Sequence, residues 1–149
     1  MRWWLGILLL VAAGANADVT LKVVNEITRP TWSYVRNVNV PAGVSVYQVL
    51  LQAGADFRDF RFGCTYYGYL SGHYICSING LAASVADKAY WGFENGRSYQ
   101  FDRGVDLIHV YDGDTIVFRY TKEQDRHPRA TLGSFTAEQC AKFMNNGNV

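Results

Sequence analysis

Two short aromatic runs, each followed by an Asn-Gly pair, constrain the fold of this chain more than any other feature. The runs are YICSI at 74–78 and YWGF at 90–93, and the pairs that follow them are Asn79-Gly80 and Asn95-Gly96. Asn and Gly both tolerate a positive φ, which the central positions of tight hairpin turns require. The pattern predicts two strands that end in sharp turns and bring Tyr, Trp and Phe side chains to the rim of a sheet. Such a rim suits binding better than catalysis.

The first 17 residues have the pattern of an export signal. Arg2 precedes an apolar run at 3–13, and Ala15-Asn16-Ala17 fits the small-x-small rule for cleavage. The run is shorter than the roughly 20 apolar residues that span a bilayer. A buried N-terminal helix is the alternative interpretation. We expect a secreted chain that begins at Asp18 and has no membrane partner.

Charge is balanced in the expected mature chain. The sequence has 14 Lys plus Arg and 13 Asp plus Glu, and removal of residues 1–17 takes away Arg2 alone, which leaves 13 of each sign. A neutral chain has no long-range attraction for nucleic acid or an anionic membrane. The aromatic and basic segment at 57–69 therefore indicates a strand with one aromatic and one charged face rather than a platform for single-stranded nucleic acid.

The predicted elements follow one another in the order of a small α+β domain. Alternation predicts strands at 19–23 and 32–40, and helical spacing predicts a helix at 45–53 that begins at Ser45. Further strands are predicted at 98–101, 107–111 and 115–120. We interpret Asp112-Gly113-Asp114 as a turn rather than a calcium loop, because the acidic ligands that such a loop needs further along are missing. Residues 122–149 are predicted to form a polar connector and a short C-terminal helix.

All three cysteines lie in the expected mature chain, where an oxidising compartment favours disulfide formation. Cys64 and Cys76 flank a predicted hairpin centred on Leu70, which would place them opposite each other. We expect this pair to form a disulfide. Cys140 is then left over, either as a buried thiol or as a bridge to another chain.

Patterns of common catalytic sites are missing from the sequence. His73, His109 and His127 have no metal-binding spacing, and there is no nucleophile elbow, phosphate-binding glycine loop or CxxC pair. Cysteines in a disulfide cannot act as nucleophiles. Carboxylates that converge in a deep pocket, as in a hydrolase or lyase, remain the enzymatic alternative. We expect no enzyme, no catalytic residue, no metal site and no catalytic cofactor.

Five segments, in their order, resemble the transcobalamin-like C-terminal domain family. They are VNVPAGVSVYQVL at 38–50, GHYICSING at 72–80, Tyr90-Trp91 with Asn95-Gly96, Gly104-Val105, and DGDTI at 112–116. The resemblance covers about 19–120, nearly all of a domain expected at 18–121. It implies a β-grasp-like fold, in which a mixed sheet packs on one helix. In the vertebrate vitamin B12 carriers this is the smaller, β-rich domain, and the family also includes standalone secreted domains.

The resemblance further implies two ligand-contacting segments. The first comprises Leu70, Ser71, Gly72, His73, Tyr74 and Ile75. The second begins at Trp91 and comprises, with it, Gly92, Phe93, Glu94, Asn95, Gly96, Tyr99 and Gln100. Apolar contact from Trp91, Phe93 and Tyr74 would face a flat corrin, and backbone groups at the glycines would bond to its amide side chains. The implied function is non-enzymatic binding and transport of cobalamin or a related corrinoid.

Two features of the family leave alternatives open. The carriers enclose cobalamin between this domain and a larger helical domain to which no part of this sequence corresponds. Either the ligand stays largely in water and binds more weakly, or a partner chain supplies the other half. His73 at the rim is either an imidazole ligand for cobalt or an ordinary surface residue. The alternative function is that of an extracellular interaction or matrix protein that uses the same aromatic rim.

Overall fold

The computed structural model describes residues 14–67, 72–97, 101 and 104–122. These ranges hold, in chain order, β1 (Asn16–Asn25), β2 (Trp32–Pro41), α1 (Val46–Asp56), β3 (Phe62–Tyr67), β4 (Gly72–Ile78), β5 (Leu81–Ala82), β6 (Ala89–Asn95) and β7 (Thr115–Lys122). The strands form a larger sheet in the order β2-β1-β7-β6 and a smaller one in the order β3-β4-β5. The larger sheet is mixed, because β1 runs parallel to β7 and antiparallel to β2. The predicted α+β class is confirmed, whereas the predicted C-terminal helix lies outside the described residues.

The core forms where strand alternation meets helical spacing. Val19, Leu21 and Val23 of β1 are fully buried, as their period of two predicts. The buried residues of α1 repeat at helical spacing: Val46, Val49, Leu50 and Ala53. Both sets belong to one hydrophobic cluster. Since burial of each large aliphatic side chain stabilises the fold by roughly 1.5–3 kcal/mol, this cluster fixes α1 on the sheet.

The predicted helix start at Ser45 is confirmed as a capping box. The Ser45 hydroxyl accepts the backbone N–H of Gln48 at 3.2 Å, and the backbone N–H of Ser45 donates to the Gln48 side chain at 2.9 Å. These two bonds satisfy N–H groups that the first turn of a helix cannot bond internally.

The next two N–H groups of the helix hold the loop that precedes β7. Val46 donates to the carbonyl of Ile108 at 2.9 Å, and Tyr47 donates to the carbonyl of Val105 at 3.1 Å. Residues 107–111 therefore run as a loop with one isolated bridge, at His109, and the predicted strand there is wrong. The carbonyl of Ile108, which a strand would use for pairing within a sheet, instead accepts a hydrogen bond from the start of the helix.

Two of the predicted turns have the expected backbone. Asn79 and Gly80 have φ values of 48° and 85° and join β4 to β5. Gly113 has a φ of 85°, and the carboxylate of Asp114 accepts the backbone N–H of Tyr111 at 2.8 Å. The interpretation of Asp112-Gly113-Asp114 as a turn is therefore confirmed.

Cys64 is a free thiol, so the predicted Cys64–Cys76 disulfide is wrong. The predicted hairpin of β3 and β4 exists, but a bulge between Gly63 and Cys64 shifts its register. Gly63 pairs with Ser77, and Cys64 then pairs with Ile75 instead of Cys76. Cys76 is the extra residue of β4 at this irregularity and has no partner in β3, so it does not lie directly opposite Cys64. Cys140 lies outside the described residues.

The predicted signal-cleavage site overlaps β1. Asn16 and Ala17 pair with Pro41 and Val40, and Ala17 is fully buried. Residues 1–13 lie outside the described ranges, and export and cleavage stay predictions. Within the described ranges no helix has the length and apolar character needed to cross a membrane.

Candidate functional site

His73, at the start of β4, is held by the carboxylate of Asp106. Its Nδ1 lies 2.8 Å from Asp106 Oδ1, and its backbone N–H donates to Oδ2 at 2.6 Å. An ionised carboxylate only accepts hydrogen bonds, so Nδ1 carries the hydrogen and Nε2 keeps a lone pair in the neutral ring. The two side chains are 21% and 22% exposed. His73 is therefore a fixed, half-buried imidazole rather than an ordinary surface residue.

Aromatic side chains fix the plane of this imidazole. Tyr47 of α1 stacks on the His73 ring with centroids 3.8 Å apart and planes 7° apart. Tyr66 of β3 lies 4.9 Å away at 53° and is itself 58% exposed. The ring is thus supported on one face and bordered by an accessible aromatic side chain.

Cys64 lies beside the same group, where its side chain hydrogen-bonds to that of Tyr47. Burial raises the pKa of the Cys64 thiol, and the bond to Tyr47 only partly offsets that effect. Because the thiolate is the nucleophilic form of cysteine, this residue is a poor nucleophile at neutral pH. We refer to Tyr47, Cys64, Tyr66, His73 and Asp106 together as the His73 cluster.

A cavity of about 530 Å³ lies between the end of β6 and the loop before β7. It is lined by Asn95, Gly96, Arg97, Phe101, Ile108, His109, Gly113, Asp114, Thr115 and Ile116. Its volume falls in the range of small-molecule sites. One wall is tightly fitted, because a Cβ built on Gly96 would lie 3.0 Å from the Cβ of Thr115.

The loop at 104–114 contacts both of the predicted ligand-contacting segments. Asp106 holds His73 of the first segment, while His109 lines the cavity beside Asn95 and Gly96 of the second. The His109 ring is fixed in turn, since its Nδ1 lies 2.9 Å from the carbonyl oxygen of Gly43. One loop, attached to the start of α1, thereby joins two segments that are distant in sequence.

The predicted contact residues differ in their exposure. In the first segment Gly72 and Ile75 are buried, and His73 and Tyr74 are half-buried. In the second, Phe93 and Asn95 are half-buried and Gly96 is exposed, and Phe93 packs on Phe101 with ring centroids 5.1 Å apart. The remaining predicted residues outside the described ranges are Leu70, Ser71, Tyr99 and Gln100.

Trp91 is a core residue, and the prediction that it lies on an exposed rim is wrong. It is 4% exposed, and its Nε1 donates to the carbonyl of Leu81 at 2.8 Å. Its ring lies 5.0 Å from that of Tyr120 and 6.2 Å from that of Trp32. The smaller sheet approaches β6 at Leu81, which covers the side chain that the sequence pattern places at an edge.

Gly92 and Glu94 of the second segment are also buried. The carboxylate of Glu94 is 3.1 Å from the guanidinium of Arg119 on the neighbouring strand. A buried carboxylate needs such a partner, so Glu94 is explained by the structure of the sheet.

Sequence reasoning missed Tyr47, Tyr66 and Asp106 as members of the site. Asp106 is 33 residues from His73 in sequence and lies immediately before the predicted strand at 107–111. No periodicity or spacing relates the two residues, and only the attachment of the loop to α1 brings them together. Tyr47 differs from Asp106, because it lies one residue after the start of the helix. The predicted helix start could therefore have indicated that the backbone of Tyr47 has a fixed position.

No family model and no curated protein matches the chain. Solved structures do match it. Haptocorrin in complex with Cbi matches with a TM-score of 0.63 and 24% identity, over 74% of this chain and 26% of that one. A protein from Ruminococcus gnavus ATCC 29149 with a provisional description as metal-binding matches with a TM-score of 0.55 and 17% identity, over 71% of this chain and 97% of that one.

These likenesses show that the fold is transcobalamin-like. The similarity of the fold supports the resemblance of the five sequence segments, while the β-grasp arrangement stays a prediction and the family itself is not assigned. The chain spans about a quarter of the length of haptocorrin.

Proposed function

We propose that this protein is a non-enzymatic ligand-binding module whose ligand is cobalamin or a related corrinoid. The observation that carries the proposal is the loop at 104–114, which joins the two ligand-contacting segments implied by the family resemblance. Asp106 of this loop holds His73, and His109 of the same loop lines the 530 Å³ cavity. Haptocorrin, which has a similar fold, forms a complex with Cbi, and this supports a corrinoid as the ligand class.

The two parts of the site suit the two parts of a corrinoid. The flat macrocycle would lie against aromatic side chains that keep exposed surface, namely Tyr66 and Phe93. Contact of this kind contributes about 25 cal/mol per Å² of apolar surface removed from water. The cavity is suited to the amide side chains of the corrin rim, because Arg97 lines it and offers N–H donors, while His109, whose Nδ1 donates to the carbonyl of Gly43, offers Nε2 as an acceptor.

A binding function fits the chemistry of the site better than catalysis. The thiol of Cys64 has a raised pKa, and the carboxylates of Asp106 and Glu94 are engaged by His73 and Arg119. A hydrolase or lyase would instead need two carboxylates free to act in one pocket.

We propose that the module acts outside the cell and together with a partner chain. The chain spans about a quarter of haptocorrin, and a corrinoid on a single face would stay largely in water. A second chain that covers the other face of the ligand would remove that surface from water and raise the affinity.

The direct test is calorimetric titration of the purified chain with cyanocobalamin. We expect saturable binding at micromolar ligand, weakened about tenfold in Gly96→Ala, which corresponds to a loss of about 1.4 kcal/mol of contact along the altered cavity wall. The added methyl would press on Thr115 and change the wall of the cavity. Gly54→Ala is the matched control, since a Cβ there meets nothing within 4 Å. No binding at millimolar cyanocobalamin would refute the proposal.

The second candidate function is an extracellular protein–protein contact. Tyr66 of the His73 cluster and Leu107, which follows Asp106 in sequence, are 58% and 46% exposed, and exposed large apolar side chains are typical of interaction surfaces. This function predicts self-association in sedimentation velocity that is lost in Tyr66→Ser with Leu107→Ser. If Cys140 takes part, oligomers on non-reducing gels disappear in Cys140→Ser. A chain that stays monomeric in both experiments would count against it.

A further inference from the structure

We infer that His73 is an axial ligand, through Nε2, for the cobalt of the bound corrinoid. The inference rests on the proposed function and assigns a specific role to one residue of that site. It requires an imidazole with a free lone pair, a fixed orientation and a stacking partner that does not occupy the direction in which a metal would bind.

The lone pair is provided by the bond to Asp106. That carboxylate accepts from Nδ1 at 2.8 Å, which makes Nε2 the unprotonated nitrogen of the neutral ring. No hydrogen bond joins Nε2 to any other residue in the described part of the chain. Histidines that bind metals characteristically donate their other ring N–H to a carboxylate or carbonyl, which fixes the tautomer and makes the ligand more basic. His73 already has this arrangement.

The orientation is provided by four contacts on the ring and its backbone. Asp106 bonds both Nδ1 and the backbone N–H of His73, Tyr47 stacks on the ring face, and Tyr66 borders it. Binding therefore requires little further loss of side-chain freedom, and this preorganisation favours affinity. Tyr47 covers a face of the ring, whereas a metal approaches in the ring plane at Nε2, so the stack leaves that approach open.

A corrinoid needs only one ligand from the protein. Groups of three or more metal-ligating side chains are not found among the described residues, which argues against a site built from protein ligands alone. The corrin ring supplies the equatorial nitrogens of cobalt itself and leaves the axial position. In aquocobalamin the bond from cobalt to water breaks and water leaves, while Nε2 donates its electron pair to form the new bond. Cobalt stays in the trivalent state, and no reductant or oxidant takes part.

The test compares aquocobalamin with cyanocobalamin, using visible absorbance and calorimetry on the full chain. Cyanide holds the axial position far more strongly than water, so cyanocobalamin reports binding without ligand exchange. We expect the spectrum of bound aquocobalamin to become that of its complex with free imidazole, and the spectrum of cyanocobalamin to stay unchanged. We also expect aquocobalamin to bind at least tenfold more tightly than cyanocobalamin.

Variants assign the effect to a residue. In His73→Ala the spectral change is lost and aquocobalamin loses its tenfold advantage over cyanocobalamin, while circular dichroism of the variant checks that it is folded. His109→Ala, in the cavity, is expected to weaken both ligands and to keep the spectral change at saturation. Asp106 is a positioning residue, so Asp106→Asn is expected to keep the imidazole-type spectrum at saturation but to need more ligand to reach it.

The outcomes separate this inference from the proposed function. Equal binding of both ligands with no spectral change would overturn the role of His73 and leave the corrinoid proposal standing. A spectral change that persists in His73→Ala would do the same. No binding of either ligand would overturn both.

Discussion

Trp91 and His73 are both aromatic residues of the implied contact segments, and their surroundings give them opposite roles. Trp91 is 4% exposed and bonded to a backbone carbonyl inside the fold. His73 keeps 21% of its side chain exposed and has one ring nitrogen without a described partner. A flat ligand can reach the second residue and not the first. Substitution of Trp91 therefore reports on stability, whereas substitution of His73 reports on binding.

We predict that Trp91→Ala destabilises the protein by about 3–5 kcal/mol, as expected for a buried large aromatic residue. It removes the ring contacts with Tyr120 and Trp32 and leaves the Leu81 carbonyl without its donor. Trp91→Phe is the matched variant, since it keeps an aromatic ring but still loses the hydrogen bond, at a cost of about 1–3 kcal/mol. Urea unfolding followed by circular dichroism measures both. Equal stability of Trp91→Ala and the natural chain would show that Trp91 is not in the core.

A second residue-scale prediction concerns alkaline pH. Burial, followed by the hydrogen bond from its hydroxyl to Asp59, raises the pKa of Tyr34 from 10.0 to about 12. The unfolded chain loses this proton near pH 10, and the folded chain keeps it until about pH 12. In that interval the unfolded state binds fewer protons, so stability falls as the pH rises.

We expect the free energy of unfolding to fall less steeply with rising pH in Tyr34→Phe than in the natural chain. Urea unfolding at a series of pH values above 9 measures this dependence. The loss will not vanish, because burial also raises the pKa of Tyr47 and of Tyr120. Tyr111→Phe serves as the control, since Tyr111 is 59% exposed. An alkaline dependence that is the same in Tyr34→Phe and Tyr111→Phe would contradict the assignment.

At the scale of elements, the start of α1 links the core to the candidate site. The capping box at Ser45 sets the first turn, whose next N–H groups hold the loop that carries Asp106. Asp106 in turn holds His73 on β4. The orientation of His73 therefore depends on a helix terminus in another part of the sequence.

We predict that Ser45→Ala lowers the free energy of unfolding by about 0.5–2 kcal/mol, the usual cost of losing an N-cap side chain. We also expect the proton NMR signals of the His73 ring to broaden, because the loop that carries Asp106 becomes more mobile. Ser33→Ala, at an exposed position of β2, is the control. If the signals of His73 are the same in both variants, the helix start does not position the site.

The bulge between β3 and β4 leads to a prediction about the cysteines. Since Cys64 is a free thiol that pairs with Ile75, Cys140 is the one cysteine left in the sequence to pair with Cys76 within a chain. We expect peptide mapping of secreted, non-reduced protein to recover a Cys76–Cys140 peptide. Cys64→Ser should leave that peptide unchanged, and Cys140→Ser should abolish it. Recovery of a Cys64–Cys76 peptide would show that the hairpin has the register without the bulge.

The elements that the sequence predicts well are those whose signal is local. The strand at 32–40, the helix start at Ser45 and the turns at Asn79-Gly80 and Asp112-Gly113-Asp114 all follow from neighbouring residues. The bulge before Cys64 and the loop at 107–111 depend on partners far along the chain, and alternation alone cannot reveal them. The candidate site divides in the same way, because His73 was named from its segment whereas Asp106 required the fold.

At the scale of the whole molecule, the start of β1 is tied to the turn that precedes β7. The backbone N–H of Asp18 donates to the carboxylate of Asp112 at 2.9 Å, and the backbone N–H of Gly113 donates to the carbonyl of Asp18 at 3.0 Å. These bonds connect β1 with the turn before β7, its parallel neighbour in the larger sheet. They lie at the end of β1 from which the predicted export signal would be cleaved.

Cleavage after Ala17 would change the bond between the backbone nitrogen of Asp18 and the carboxylate of Asp112. The amide nitrogen of Asp18 would become a terminal ammonium next to the carboxylate of Asp112, and a hydrogen bond would become an exposed ion pair. The processed chain would also lose the buried methyl of Ala17 and the bond from Ala42 N–H to the carbonyl of Ala15. Processing therefore removes contacts at the edge of the core and strengthens one at the surface.

We predict that Asp112→Asn destabilises a chain beginning at Asp18 more than a chain beginning at Gly14. Exposed ion pairs contribute roughly 0.2–1 kcal/mol and are weakened by salt, so the difference should shrink at high ionic strength. Urea unfolding of both chains, with and without the substitution, at low and high salt measures this difference as a coupling energy. Asp56→Asn, at the end of α1, controls for the loss of one negative charge. Equal effects of Asp112→Asn in the two chains would show that the new terminus does not pair with this carboxylate.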